Sequence, residues 1–127
     1  VFEVAVALVC RNGRWLVARR KPHVHLGGFW EFPGGKCRAG ETAAQAALRE
    51  LHEECAVEAI AERELPAITH EYEERIVRLL PVICRWQAGE GLPLGNQECR
   101  WVATAELAGL EMPAVNAGIL RELRAAM

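Results

Sequence analysis

The window from Gly35 to Val57 constrains this chain more than any other stretch. It reads Gly35-x5-Glu41-x7-Arg49-Glu50-Leu51-x-Glu53-Glu54-x-Ala56-Val57 and follows directly on Pro33-Gly34. Glu50, Glu53 and Glu54 stand at i, i+3 and i+4, so a helix places all three on one face. Like charges spaced in this way repel, and a helix that served only to pack has reason to avoid them. A divalent cation removes the penalty and turns the cluster into a site.

Local signals support that helix. Thr42 with Gln45 three residues later forms a capping box, which predicts a helix from Ala43 to Cys55. At about 100° per residue it carries two stripes. Ala44, Ala47, Leu48, Leu51 and Cys55 form an apolar one, and Glu50, Glu53 and Glu54 an acidic one. The helix therefore docks by one side and presents carboxylates on another.

The rest of the chain reads mostly as strands. Val4 to Val9 is a short apolar run, Asn12-Gly13 a hairpin turn, and Trp15 to Ala18 the returning strand. A loop spans Lys21 to Gly28. Trp30-Glu31-Phe32 is a short strand stopped by Pro33-Gly34-Gly35. Ala67 to Tyr72 and Ile76 to Trp86 form a second hairpin around Glu73-Glu74, and Ala88 to Gln97 is a loop. Trp101-Val102 is a short strand, Thr104 caps a helical turn, and Asn116 to Ala126 is a terminal helix. The expected class is α/β (α+β), with a mixed β-sheet sandwiched between α-helices and residues 1–127 as one domain.

Composition removes several alternatives. A net charge of −2 argues against a surface for a nucleic-acid polymer. No apolar run reaches the roughly 20 residues of a membrane span, and no signal-peptide pattern is present from Val1 onward. Five scattered cysteines without a Cys-x-x-Cys read as reduced thiols of a cytoplasmic protein.

The window resembles the signature of the Nudix hydrolases, Gly-x5-Glu-x7-Arg-Glu-aliphatic-x-Glu-Glu-x-Gly-aliphatic. Every defined position matches except Ala56, where the pattern has Gly. Glu31-Phe32-Pro33-Gly34-Gly35-Lys36 resembles the MutT-type branch, whose members hydrolyse 8-oxo-dGTP and keep mutagenic precursors out of DNA. The resemblance implies water attack on a nucleoside diphosphate or triphosphate linkage, assisted by Mg²⁺, with Mn²⁺ as the alternative ion. It implies a monomer or weak dimer.

Mg²⁺ takes oxygen ligands and keeps several waters, so a few carboxylates suffice. Glu50 and Glu54 are the first ligands, and Glu53 is a third ligand or the base that deprotonates water. The Gly34 carbonyl is a further candidate. Arg49 holds carboxylates by bidentate pairing. Glu41 either contacts a metal or supports the loop, and Lys36 either touches a phosphate or faces solvent. MutT-type chains often carry another metal-binding glutamate shortly before a late Trp. Here Glu98 serves only after a shift, and otherwise is a surface residue. A left-handed backbone at Ala56 costs about 1–2 kcal/mol.

Oxidation of guanine turns N7 from an acceptor into a donor while O6 remains an acceptor. One Asn amide satisfies both, and against guanine its oxygen faces another acceptor. Asn116 is similar to the family's base-reading Asn, and otherwise caps the last helix. The resemblance also brings Arg20, His25, Tyr72 and Arg75 near the nucleotide, with the Phe32 backbone on the base. Two other functions stay open: hydrolysis of another nucleotide, such as CTP or a modified pyrimidine triphosphate, and a non-catalytic nucleotide-binding module.

Overall fold

Alternation along the first strand creates two chemically different faces. The computed structural model describes residues 1–127. In β1 (Phe2–Arg11), Val6 and Leu8 point to one side, and Ala5, Ala7 and Val9 to the other. The bulky side meets α3 (Asn116–Ala126) through Ile119 and Leu123. The small side receives α1 (Ala43–Cys55), whose Ala46, Ala47, Leu51 and Cys55 are buried against it. Small residues on both partners bring helix and sheet close. Burial of each large aliphatic side chain, Leu8, Leu16, Leu51, Ile119 and Leu123, contributes roughly 1.5–3 kcal/mol.

The sheet is mixed, as expected, and has eight strands. Its central pair is β1 with β7 (Arg75–Ala88), parallel from Phe2 opposite Val77 to Cys10 opposite Arg85. The other pairings are antiparallel. β2 (Arg14–Arg19) returns from β1 and also pairs with β3 (Trp30–Glu31) and β8 (Glu98–Ala103). β4 (Gly34–Lys36) pairs with β1, while β5 (Glu58–Glu64) and β6 (Ile68–Tyr72) pair with β7. A single helical turn, α2 (Thr104–Leu107), follows β8. The β1–β2 turn places Asn12 at φ 49° and Gly13 at φ 76°, the left-handed pair that suits the twist of a two-residue hairpin.

Several local readings differ from the structure. β3 ends at Glu31, before Pro33-Gly34-Gly35 as expected, but Gly34 to Lys36 then pair along β1 as β4. Gly34 permits this: a Cβ there would collide with the Ala5 carbonyl oxygen. β5 was not expected at all. Its Ala59 and Ala61 alternate onto the α1 face, but four charged residues among seven hide that pattern. Thr104 does not cap α2; its hydroxyl accepts a 2.9 Å hydrogen bond from Trp15 Nε1. Asn116 does not cap α3, since Val115 occupies that position.

The helix that carries the acidic face spans its expected residues. The Thr42–Gln45 capping box is complete, with bonds of 3.0 and 3.1 Å. At the other end Ala56 adopts φ 52°, ψ 38°, and its N–H donates to His52 O at 2.9 Å. A left-handed alanine is strained by about 1–2 kcal/mol, and glycine there costs about 0.4–1 kcal/mol of unfolded-chain entropy. Ala56→Gly is therefore expected to stabilise the protein by about 1 kcal/mol, as a higher urea midpoint at unchanged slope. A lower midpoint would show that this cap holds no strain.

Candidate active site

Arg49 gathers the charged residues of α1 and the loop before it. Its Nε and Nη2 bond Glu41 at 2.7 and 2.9 Å. Its Nη1 bonds Glu50 at 2.7 Å and Glu53 at 3.3 Å, and Nη2 also reaches the Lys36 carbonyl at 3.0 Å. The side chain is only 17% exposed, so these bonds are partly shielded from water. Glu41 additionally accepts from Arg38 N at 2.8 Å. Arg49 first, then that backbone bond, holds the Glu41 carboxyl down at about 2, and the same pairings raise Arg49. In this arrangement Glu41 supports the loop.

Glu54 is the exception on the acidic face. It lies under β4, with the Gly34 N–H 3.5 Å from both carboxylate oxygens, a weak contact. Burial first, and then the charge of Glu50, push its carboxyl up to about 8. The Gly34 N–H opposes that shift, and Glu31 adds to it. Gly35 lets Glu50 approach the strand, since a Cβ there would stand 2.6 Å from Glu50 Oε1. Glu53 is half exposed and also pairs with Arg38 at 3.6 Å.

The donor set suits a hard cation. Two carboxylates one turn apart, one of them raised by burial and then by the charge of the other, meet the backbone of a glycine strand. No three acidic, His or Cys side chains converge tightly enough to enclose an ion, because Arg49 draws Glu50 and Glu53 toward itself.

Two adjoining cavities lie beside this cluster. The first, of about 300 Å³, is lined by Arg20, His25, Glu31, Phe32, Gly34, Tyr72 and Asn116, with apolar walls from Val4, Val6, Leu26, Leu79, Pro113, Val115 and Ile119. The second, of about 160 Å³, contains Glu54, Gly95 and Asn96 and shares Arg20 and Glu31 with the first. The Asn116 side chain is 7% exposed, and its Nδ2 reaches Met112 Sδ at 3.8 Å. The Phe32 ring packs into the core.

Other candidate residues fall elsewhere. Arg20 is the exception in lining both cavities, where its Nη1 bonds both Glu31 oxygens at 3.1 and 3.0 Å and its Nε bonds the His25 carbonyl at 2.8 Å. Lys36 Nζ sits 4.4 Å from the Phe2 ring centre, and Arg75 lies over the Phe2 and Tyr72 rings; neither lines the two cavities. Glu98 pairs with Arg100 at 3.1 Å and lines neither cavity. Sequence reasoning missed Glu31, which touches both cavities. The signal was available: between buried Trp30 and Phe32, strand alternation turns Glu31 to the opposite face. It also missed Asn96, 8% exposed, whose Nδ2 donates to the Glu54 carbonyl at 3.4 Å.

A sequence profile of the NUDIX domain matches residues 4–122. The 8-oxo-dGTP diphosphatase of Proteus vulgaris is 38% identical over 79 residues, covering 61% of this chain and 70% of its own. The CTP pyrophosphohydrolase of Escherichia coli K12 is 37% identical over 79 residues, covering 62% of this chain and 58% of its own. The solution structure of the E. coli ORF135 protein superposes with a TM-score of 0.86 at 27% identity, covering 98% of this chain and 89% of that one. The profile match over nearly the whole fold, together with the acidic helix beneath a glycine strand, shows that this chain belongs to the Nudix family of phosphohydrolases.

Proposed function

We propose that the chain hydrolyses 8-oxo-dGTP to 8-oxo-dGMP and pyrophosphate, with Mg²⁺ or Mn²⁺ held by Glu50, Glu54 and the Gly34 carbonyl. The observation that carries this reading is the Asn116 amide in the wall of a cavity that adjoins the cleft of Glu54. A purine ring fits between apolar walls there, with the Asn116 amide donating to O6 and accepting from N7–H. Bound Mg²⁺ would neutralise phosphate charge and acidify a water. Arg49 fixes Glu50, and Glu53 Oε, half exposed at the cluster's edge, accepts the proton of the attacking water. His25 and Tyr72 border the same cavity and support a nucleotide there. Hydrolysis of CTP is the second reading, favoured by the likeness to the E. coli CTP pyrophosphohydrolase.

Initial rates with 8-oxo-dGTP, dGTP and CTP, read as pyrophosphate release, separate the two. A preference for 8-oxo-dGTP that falls about 10- to 100-fold in Asn116→Ala is expected, the cost of unpaired polar groups on the base. A preference for CTP, or an unchanged ratio in the variant, would overturn the oxidised-purine assignment.

The adjacent glycines are expected to fail differently. Gly35→Ala meets only the flexible end of Glu50, so the protein should stay folded while Mg²⁺-dependent turnover drops at least tenfold, about 1.4 kcal/mol of transition-state stabilisation. Gly34→Ala meets the β1 backbone and should lower the melting temperature. Full turnover by Gly35→Ala would remove Glu50 from the machinery.

Glu54 also gives metal-free stability a distinct pH dependence. Its carboxyl rises from an ordinary 4.5 to about 8 on folding, so the unfolded chain ionises first as pH increases. The low-pH stability contribution is lost between pH 4.5 and 8. In chelator, Glu54→Gln should match the parent near pH 4.5 and melt higher than it near pH 8. Saturating Mg²⁺ should raise the melting temperature of the parent more than that of the variant. Parallel pH curves in chelator would show that Glu54 is not held protonated.

A further inference from the structure

Two thiols take no part in the chemistry above, yet they meet beside it. Cys55 ends α1 directly after Glu54 and is fully buried. Cys99 lies in β8 and is partly exposed. Although 44 positions apart, their sulfurs are 3.5 Å from each other. Asn96 sits against both, accepting from Cys99 Sγ at 3.4 Å and approaching Cys55 Sγ through Nδ2 at 3.9 Å. Cys99 Sγ also reaches the Leu92 carbonyl at 3.5 Å. Cys84 is buried with its thiol on the Val82 carbonyl instead.

The surrounding backbone ties this pair to the acidic helix. The Glu54 carbonyl accepts from Leu94 N and Gly95 N, both at 3.1 Å, and the Cys55 carbonyl accepts from Leu92 N at 2.8 Å. The loop before β8 therefore closes the last turn of α1. A disulfide requires about 2.05 Å between sulfurs, so the two must close by about 1.5 Å.

We propose that Cys55 and Cys99 form a peroxide-oxidisable dithiol, a modification site whose disulfide staples the acidic helix to β8. Cys99, the exposed member, attacks hydrogen peroxide; an S–O bond forms, the O–O bond breaks, and one water leaves, giving a sulfenic acid. The Cys55 thiol then attacks that sulfur; an S–S bond forms, the S–O bond breaks, and a second water leaves. Two thiols lose two electrons and two hydrogens, and one peroxide becomes two waters. A dithiol reductant reverses the bond by exchange.

The test uses the full chain and hydrogen peroxide. Treated protein is unfolded, alkylated, digested and analysed by mass spectrometry, and its melting temperature is measured before and after dithiothreitol. A cross-linked peptide pair joining Cys55 to Cys99, lighter by two hydrogens, is expected, with a melting temperature raised by several degrees. Both changes should reverse with dithiothreitol. Cys99→Ser, at a partly exposed position, should lose both, while Cys10→Ser should keep both. Cys55 and Cys99 remaining alkylatable, cross-links among other cysteines, over-oxidation of Cys99 without a cross-link, or a lowered melting temperature on cross-linking would overturn the proposal.

Discussion

One guanidinium sets the electrostatics of the acidic helix. Without Arg49, four carboxylates would face one another across α1 and the preceding loop. With it, Glu41, Glu50 and Glu53 share a single shielded positive charge, anchored in turn on the Lys36 carbonyl. Lysine would not serve, because a point charge cannot address three carboxylates and a carbonyl in fixed directions. What remains without a positive partner is Glu54, whose carboxyl burial and the Glu50 charge push up. The repulsion in the sequence is thus concentrated on one partly buried group rather than spread along the helix.

That concentration depends on how the layers are built. Alanines on β1 and α1 bring the helix close to the sheet, while Gly34 lets β4 approach β1 and Gly35 lets Glu50 approach β4. On the opposite face, larger side chains pack against α3 beside the apolar hollow that Asn116 borders. The hollow and the acidic cleft meet at the Arg20–Glu31 pair, which is common to both.

The sequence revealed most where structure is local. Thr42 and Gln45 start α1, the carboxylate spacing orients it, and Asn12-Gly13 turns the first hairpin; each signal lies within a few residues. It revealed less where meaning comes from a distant partner. Glycine in β4 reads as a turn because nothing local says that the Ala5 carbonyl lies against it. β5 carries too many charges to read as a strand until β7 is beside it. The pairing of Arg20 with Glu31 of β3 inside the cavity wall has no local signal either. Thr104 and Asn116 look like caps, yet one bonds Trp15 and the other turns into the cavity. The mixed sheet between helices was legible; the internal pairing of the cavity walls was not.

The long parallel pairing of β1 with β7 carries a consequence for how the protein comes into being. It joins the start of the chain to residues near 85, and α1 lies in the crossover between them. Such a contact is non-local and requires closure of a long loop before it is rewarded. During synthesis, α1 and the first hairpin can form early, but the sheet that α1 packs on is completed only when β7 leaves the ribosome. Until then the alanine face of the helix stays wet. The environment that raises the Glu54 carboxyl therefore depends on a strand made well after the helix itself.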